Sequence, residues 1–219
     1  MTEKNESDGV VVENQTLNPT LTSTTTTNRV DTTGYTCLEL MAGDVRAWFK
    51  IWQPEWTPDQ PITFKNTIRL VWNYMGLRAA LLYRLSHLLW LKRVPALPGM
   101  LARLNITLHG FDIPAHVPIG PGLYVPHPVG TVVTANRIGK NLSLISANTI
   151  GMRNEHSFPN IGDNVFLGAG ARVLGGITIG DNVVIGANAV VIEDVPPNST
   201  AMGVPAKISP RKVSNVGGF

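Results

Sequence analysis

Few residues in this chain can move protons near neutral pH: five histidines and a single cysteine, Cys37. One histidine is set apart by its neighbours. In YVPHPVG, residues 124–130, His127 stands between Pro126 and Pro128. Proline fixes φ and has no N–H, so the segment suits neither a helix interior nor a central strand. An imidazole can take a proton from a weak nucleophile and hand it on. Held between two prolines it would keep one position, as a general base must. The same setting also suits a structural histidine that hydrogen-bonds a turn. His87 lies in an apolar helical window, where packing is its expected role. His109 and His116 are expected at the surface or at a helix end. No set of histidines and carboxylates has metal-ligand spacing, so no metal is expected. With one cysteine there is neither an intramolecular disulfide nor a CxxC pair.

The elements that must position His127 come from the rest of the 219 residues, 43% apolar and 15% charged. The net charge of +3 includes no dense basic block, so nucleic acid is not an expected partner. The start, MTEKNESDGVVVENQ, does not read as a signal peptide. A lone cysteine fits a reducing compartment, and a cytoplasmic location is expected. Within the most apolar window, Arg69, Arg78, Arg84 and His87 argue against a spanning helix. Trp72, Trp90 and the arginines leave room for peripheral membrane contact at most.

Residues 1–36, with TSTTTTN, lack the apolar content to offset ordering entropy and read as a disordered polar tail. Residues 37–110 read as a helical domain. Leu38, Met41, Val45, Trp48, Phe49 and Trp52 recur at spacings of three and four. A second helical region runs from about Thr63 to Pro95, bent near Gly76, and a third from about Pro98 to Gly110. Over 111–197 the period becomes six. Ile161, Leu167, Val173, Ile179, Ile185 and Val191 open successive units, and Ile138, Leu144 and Ile150 precede them. Backward, the register is read through Val132, Val125, Ile119 and Ile113, with one seven-residue step. This is the pattern of a parallel β-helix of hexapeptide repeats, three units to a coil. The insertion GMRNEHSFPN, between Ile150 and Ile161, reads as a loop extruded from one corner. Residues 198–219 form a C-terminal extension.

The stretch from GFDIPAHVPIGPGLYVPHPVG to MGVPAKI resembles the hexapeptide-repeat acyltransferases, and within them the serine acetyltransferase branch. GDVRAWF and YMGLRAALLYRLSHLLW extend the likeness into the helices, over about residues 40–210. The resemblance implies a mainly β fold: a left-handed parallel β-helix preceded by a small α-helical domain. It implies acetyl-CoA as co-substrate, no metal, and a homotrimer or a dimer of trimers with acetyl-CoA between neighbouring prisms. His127 falls on the branch's catalytic histidine and Asp112, fifteen residues earlier, on its partner. Such an imidazole would deprotonate an acceptor hydroxyl, with the carboxylate orienting it and stabilising its cation. Ala169 and Ala187 match CoA-contacting alanines, and Lys207, Arg211 and Lys212 are candidates for the nucleotide phosphates. Arg153 and His156 in the inserted loop are candidate acceptor ligands.

Three departures bear on the acceptor. Pro126 stands where the branch has an Asp before its histidine. Gln53–Pro54 replaces an Asp–Pro, and Ser157 replaces a loop arginine. Those groups would bind a zwitterion, and each charge-assisted bond lost costs about 1.5–3 kcal/mol. A sugar hydroxyl of an exo- or capsular polysaccharide is therefore the first expected acceptor and serine the second. A scaffold without catalysis is the third reading, disfavoured by the Asp112–His127 pair.

Overall fold

The computed structural model describes residues 34–154 and 156–211. The expected disorder of the first residues lies largely outside that range, as does Lys212. Four helices come first. α1 (Cys37–Trp52) starts at a capping box: the Thr36 hydroxyl accepts from the Glu39 N–H, and the Glu39 carboxylate accepts from the Thr36 N–H. α2 (Phe64–Asn73) starts at Thr63, whose hydroxyl accepts from the Asn66 N–H. α3 (Met75–Leu91) follows at once, so the chain breaks at Tyr74 and not at Gly76. α4 (Leu97–His109) has Pro98 in its first turn and ends on Gly110 at φ +63°, where a side chain would be strained.

Thirteen short strands then build three sheets, the three faces of a prism. The first face stacks β1 (Phe111–Asp112), β2 (Thr131–Val133), β5 (Thr149–Gly151), β8 (Arg172–Leu174) and β11 (Val190–Val191). The second stacks β3 (Arg137–Ile138), β6 (Asn160–Ile161) and β9 (Thr178–Ile179). The third stacks β4 (Ser143–Leu144), β7 (Phe166–Leu167), β10 (Val184–Ile185), β12 (Ser199–Met202) and β13 (Lys207–Pro210). All pairs are parallel except β12–β13. β12 joins the third face beside β10, so part of the C-terminal extension belongs to the prism.

In the later coils, partners are eighteen residues apart: Ile161 with Ile179, Leu167 with Ile185, Val173 with Val191. Each is buried in the continuous core of the prism. At one edge, Asn141, Asn164, Asn182 and Asn198 take left-handed backbone (φ 56–59°). Their side chains form a ladder of amide bonds at 2.8–3.0 Å. This is why IGDN recurs, since asparagine tolerates that conformation.

The first coil is irregular. Ile119 pairs with Ile138 and Tyr124 with Ser143, nineteen apart, whereas Asp112 pairs with Val132, twenty apart. Val133, not Val132, points into the core: Val133 is buried, pairs with Ile150, and leaves Val132 exposed. The six-residue register read through Val132 is therefore one residue out.

Candidate active site

His127 lies on the edge where the third face turns into the first. Its backbone bridges Ser146 on the next coil. The chain takes four steps from His127 to Thr131 on β2, against two from Ser146 to Asn148. The extra length is taken up by a turn: the Thr131 N–H donates to the Pro128 carbonyl at 3.0 Å, and Gly130 has φ +74°. Glycine at the third position of a type II turn meets that requirement. So PHPVG is a corner bulge that carries an exposed imidazole beside a buried Pro128.

The same edge carries the two candidate alanines. Pairing of Leu144 with Leu167, and of Leu167 with Ile185, sets Ser146 beside Ala169 and Ala169 beside Ala187. The Gly170 N–H donates to the Ser146 carbonyl and the Asn188 N–H to the Ala169 carbonyl, both at 2.8 Å. His127, Ser146, Ala169 and Ala187 thus form one column, and rungs about 4.8 Å apart put its ends about 14 Å apart. Ala169 and Ala187 are exposed, so the edge above the imidazole is open and lined by small side chains.

The helices brace the approach to His127. Asp44 on α1 and Arg84 on α3 are fully buried and paired twice, at 2.9 and 3.0 Å. The Gly122 and Leu123 N–H groups donate to the Asp44 carboxylate at 3.0 and 2.8 Å. Arg84 donates to the Ile119 and Gly120 carbonyls at 2.5 and 2.7 Å. A β-carbon on Gly76 would fall 1.8 Å from the Val125 carbonyl oxygen, so α3 lies against the backbone two residues before the imidazole. Trp48 packs on Tyr124 with ring centroids 4.7 Å apart, and burial raises the Tyr124 pKa. Sequence reasoning missed this brace. Its signal was two charges in apolar helical runs, Asp44 in LMAGDVRAW and Arg84 in LLYRLSHLL.

Asp112 is half-buried on β1. The Gly130 N–H donates to the Gly110 carbonyl at 3.0 Å, laying the His127 corner against the start of β1. Asp112 and His127 thus belong to neighbouring rungs. Among the described residues no hydrogen bond joins their side chains.

Arg153 and His156 are exposed in the loop between β5 and β6, on the edge between the first and second faces. The loop is fixed there by Asn136, whose side chain donates to the Phe158 carbonyl at 2.7 Å. Ser157 packs on Gly176, where a β-carbon would come within 2.8 Å of it. Within one chain, the first face separates this loop from the His127 column. Gln53 is exposed at the C-terminal cap of α1. Lys207 pairs with Met202, which packs on Gly186 beside the column's last alanine. Arg211 lies at the other end of β13, its N–H donating to the Asn198 carbonyl, so the two cations do not sit side by side.

The remaining histidines divide. His87 is buried, its Nδ1 2.7 Å from the Ala115 carbonyl. His116 is exposed. His109 is the last residue of α4, a helix end as expected, and is buried there; its Nδ1 is 2.8 Å from Asn105 Oδ1. Burial, with help from the Arg78 charge, holds its pKa below the ordinary value. Among the described residues no helix is long and apolar enough to cross a membrane.

Residues 158–193 match the family model for the bacterial transferase hexapeptide (six repeats). Serine acetyltransferase of Synechococcus elongatus is 35% identical over 148 residues, 66% of this chain and 61% of its own length. The chain thus spans about six tenths of that relative. Serine acetyltransferase of Mycobacterium tuberculosis is 33% identical over 83% of this chain and 77% of its own length. A solved structure of a serine acetyltransferase in complex with CoA superposes with a TM-score of 0.67. It is 29% identical and covers 79% of this chain and 69% of its own. With the repeat, the prism and a third of the residues shared over most of a relative's length, this chain belongs to the serine acetyltransferase family.

Proposed function

We propose that this protein is an acetyl-CoA-dependent O-acetyltransferase with L-serine as acceptor and His127 as general base. The observation that carries this reading is the column of His127, Ser146, Ala169 and Ala187 along one open edge. It sets the imidazole at the end of a strip whose small side chains leave room for a thioester arm. Lys207 near the far end supplies a cation for the nucleotide phosphates. Arg211, at the other end of β13, would serve only a ligand that crosses the hairpin.

In this mechanism His127 takes the acceptor's hydroxyl proton as the oxygen attacks the thioester carbonyl. The tetrahedral adduct collapses, the carbon–sulfur bond breaks, and the thiolate leaves with the proton returned from the imidazolium. Asp112 orients the ring and stabilises its cation, a contact to be completed when substrate binds. Such a base typically contributes about 100- to 10,000-fold.

The coil is left-handed in this reading, as the resemblance implies. A homotrimer is part of it as well. The first face lies between the His127 edge and the loop of Arg153 and His156, so a second copy is needed to lay that loop over the imidazole. Arg153 would then meet the acceptor carboxylate.

Serine here displaces the sugar expected from the sequence, since the relatives reported above are serine acetyltransferases. A neutral sugar hydroxyl is kept as the second reading. It is favoured by Pro126, Gln53 and Ser157, which leave an ammonium group without the partners that buried charges need. The deciding measurement is thiol release from acetyl-CoA with purified protein, comparing kcat/KM for L-serine and a panel of glycans. A serine value of about 10⁴ M⁻¹s⁻¹ or more is expected. A value a hundredfold below that of a glycan would transfer the assignment to the sugar.

A further inference from the structure

Helix α2 packs on the rest of the molecule through Leu70, which is buried. Its other side carries Phe64, Ile68 and Trp72 at steps of four, 79%, 52% and 81% exposed. Side chains this apolar, aligned on one ridge, mark a surface that something covers. Along the chain from Gln60, just after Asp59 and Glu55, the charge is of one sign. From Gln60 to Phe111 the chain contains Lys65, Arg69, Arg78, Arg84, Lys92, Arg93 and Arg103 and no Asp or Glu. Arg84 is neutralised by Asp44. Lys65 and Arg69 lie on α2 beside the ridge, and the Arg69 guanidinium rests over the Trp52 ring at 5.2 Å. Arg78 donates to the Val71 and Trp72 carbonyls at 2.9 and 2.6 Å, which holds its charge at the C-terminal end of the ridge.

We propose that this face of α2 docks on an anionic bilayer surface, with Phe64, Ile68 and Trp72 entering the headgroup boundary and Lys65, Arg69 and Arg78 meeting lipid phosphates. An aromatic ridge flanked by cations is the pattern of an interfacial helix. The charge selects the occupant. An antiparallel two-fold contact between copies would lay the ridge on itself with Lys65 and Arg69 of both copies along the same side. An anionic membrane takes up the apolar ridge and neutralises the cations together. α2 is only ten residues long, so the docking is peripheral and does not span.

The test is co-sedimentation of the full chain with vesicles of phosphatidylcholine alone and of phosphatidylcholine mixed with phosphatidylglycerol. Binding to the mixed vesicles only, weakened by salt, is expected. K65Q/R69Q should lose about 25-fold in partitioning, about fivefold for each basic residue. F64S/W72S should abolish binding while thiol release from acetyl-CoA stays at the wild-type rate, which shows that the variant is folded. No binding of the wild type to the mixed vesicles, or equal binding by F64S/W72S, would overturn the proposal. So would a fall in particle mass of F64S/W72S in sedimentation equilibrium without vesicles, because a second copy would then be the occupant.

Discussion

The first coil and the later coils follow the same plan under different constraints. Ile161, Leu167 and Val173 each meet their equivalents eighteen residues on, and the prism supports itself through that stack and the asparagine ladder. The first coil departs from the interval, carries the corner bulge with His127, and has only one neighbouring coil. Its missing support comes from α1 and α3, through the Asp44–Arg84 pair and the contact of Gly76 with Val125. Regular repeats make a scaffold of uniform corners. The corner that carries His127 breaks the repeat, and the helices hold what the repeat no longer does.

The largest effect separating the two regions is expected at the bulge itself. His127→Ala should lower acetyl transfer by about 100- to 10,000-fold while leaving thermal stability unchanged, since the side chain is exposed. The same substitution at Asn164, on a regular corner, should leave turnover intact. Turnover by His127→Ala within tenfold of wild type, measured by thiol release, would remove the general-base role.

Next in size is the buried pair. Asp44→Asn strands the Arg84 charge inside the protein and should cost about 3–5 kcal/mol in denaturant unfolding. In the scaffold, Lys140 and Asp163 form an exposed pair at 3.3 Å. Breaking it with Asp163→Asn should cost less than about 1 kcal/mol. Equal losses would mean that the helices do not brace the first coil.

How much of this was legible in the sequence follows the same division. In the later coils side-chain period and strand register coincide, so Ile161 to Val191 could be read off as three stacks, one to a face. In the first coil the period slips at the bulge, and reading it in sixes put Val132 inside where Val133 belongs. His127 was legible through its prolines and Asp112 through resemblance. The alignment of His127 with Ala169 and Ala187 needed the register of four coils. The Asp44–Arg84 pair joins residues forty apart on separate helices, and no local pattern links them. The loop's edge was also hidden. The sequence shows that the unit after Ile150 is five residues too long, not which edge of the prism the extra residues leave from.

A smaller effect separates two glycines in neighbouring helices. Gly76→Ala in α3 forces a β-carbon against the Val125 carbonyl and Trp48. About 1–3 kcal/mol of stability should be lost, and turnover should fall as well, because the displaced backbone leads into His127. Gly99 in α4 has nothing within 4 Å of the added carbon. Gly99→Ala should raise stability by up to about 1 kcal/mol with no change in rate. If Gly76→Ala lowered stability but spared turnover, α3 would hold the fold together without positioning the imidazole.

The smallest effect is expected at His109, where α4 hands over to β1. The Asn105 amide nitrogen donates to the Ala79 carbonyl at 3.1 Å, so its oxygen is the atom facing His109 and the proton belongs on Nδ1. Burial, together with the Arg78 charge, disfavours a second proton on the ring. The folded pKa lies below the unfolded value near 6.5, so the unfolded chain binds the proton more readily. The stability that depends on a neutral ring is present above about pH 6.5 and is lost as pH falls from there through the folded pKa. The pKa of His116, exposed but partly desolvated by its neighbours and facing His87, is lowered too and adds a contribution of the same sign. His109→Gln should accordingly flatten, without abolishing, the fall in stability between neutral and mildly acidic pH. It should leave the rate of acetyl transfer at neutral pH unchanged. Urea unfolding of both proteins across that range checks it, and parallel curves would show that the ring titrates alike in the folded and unfolded chain.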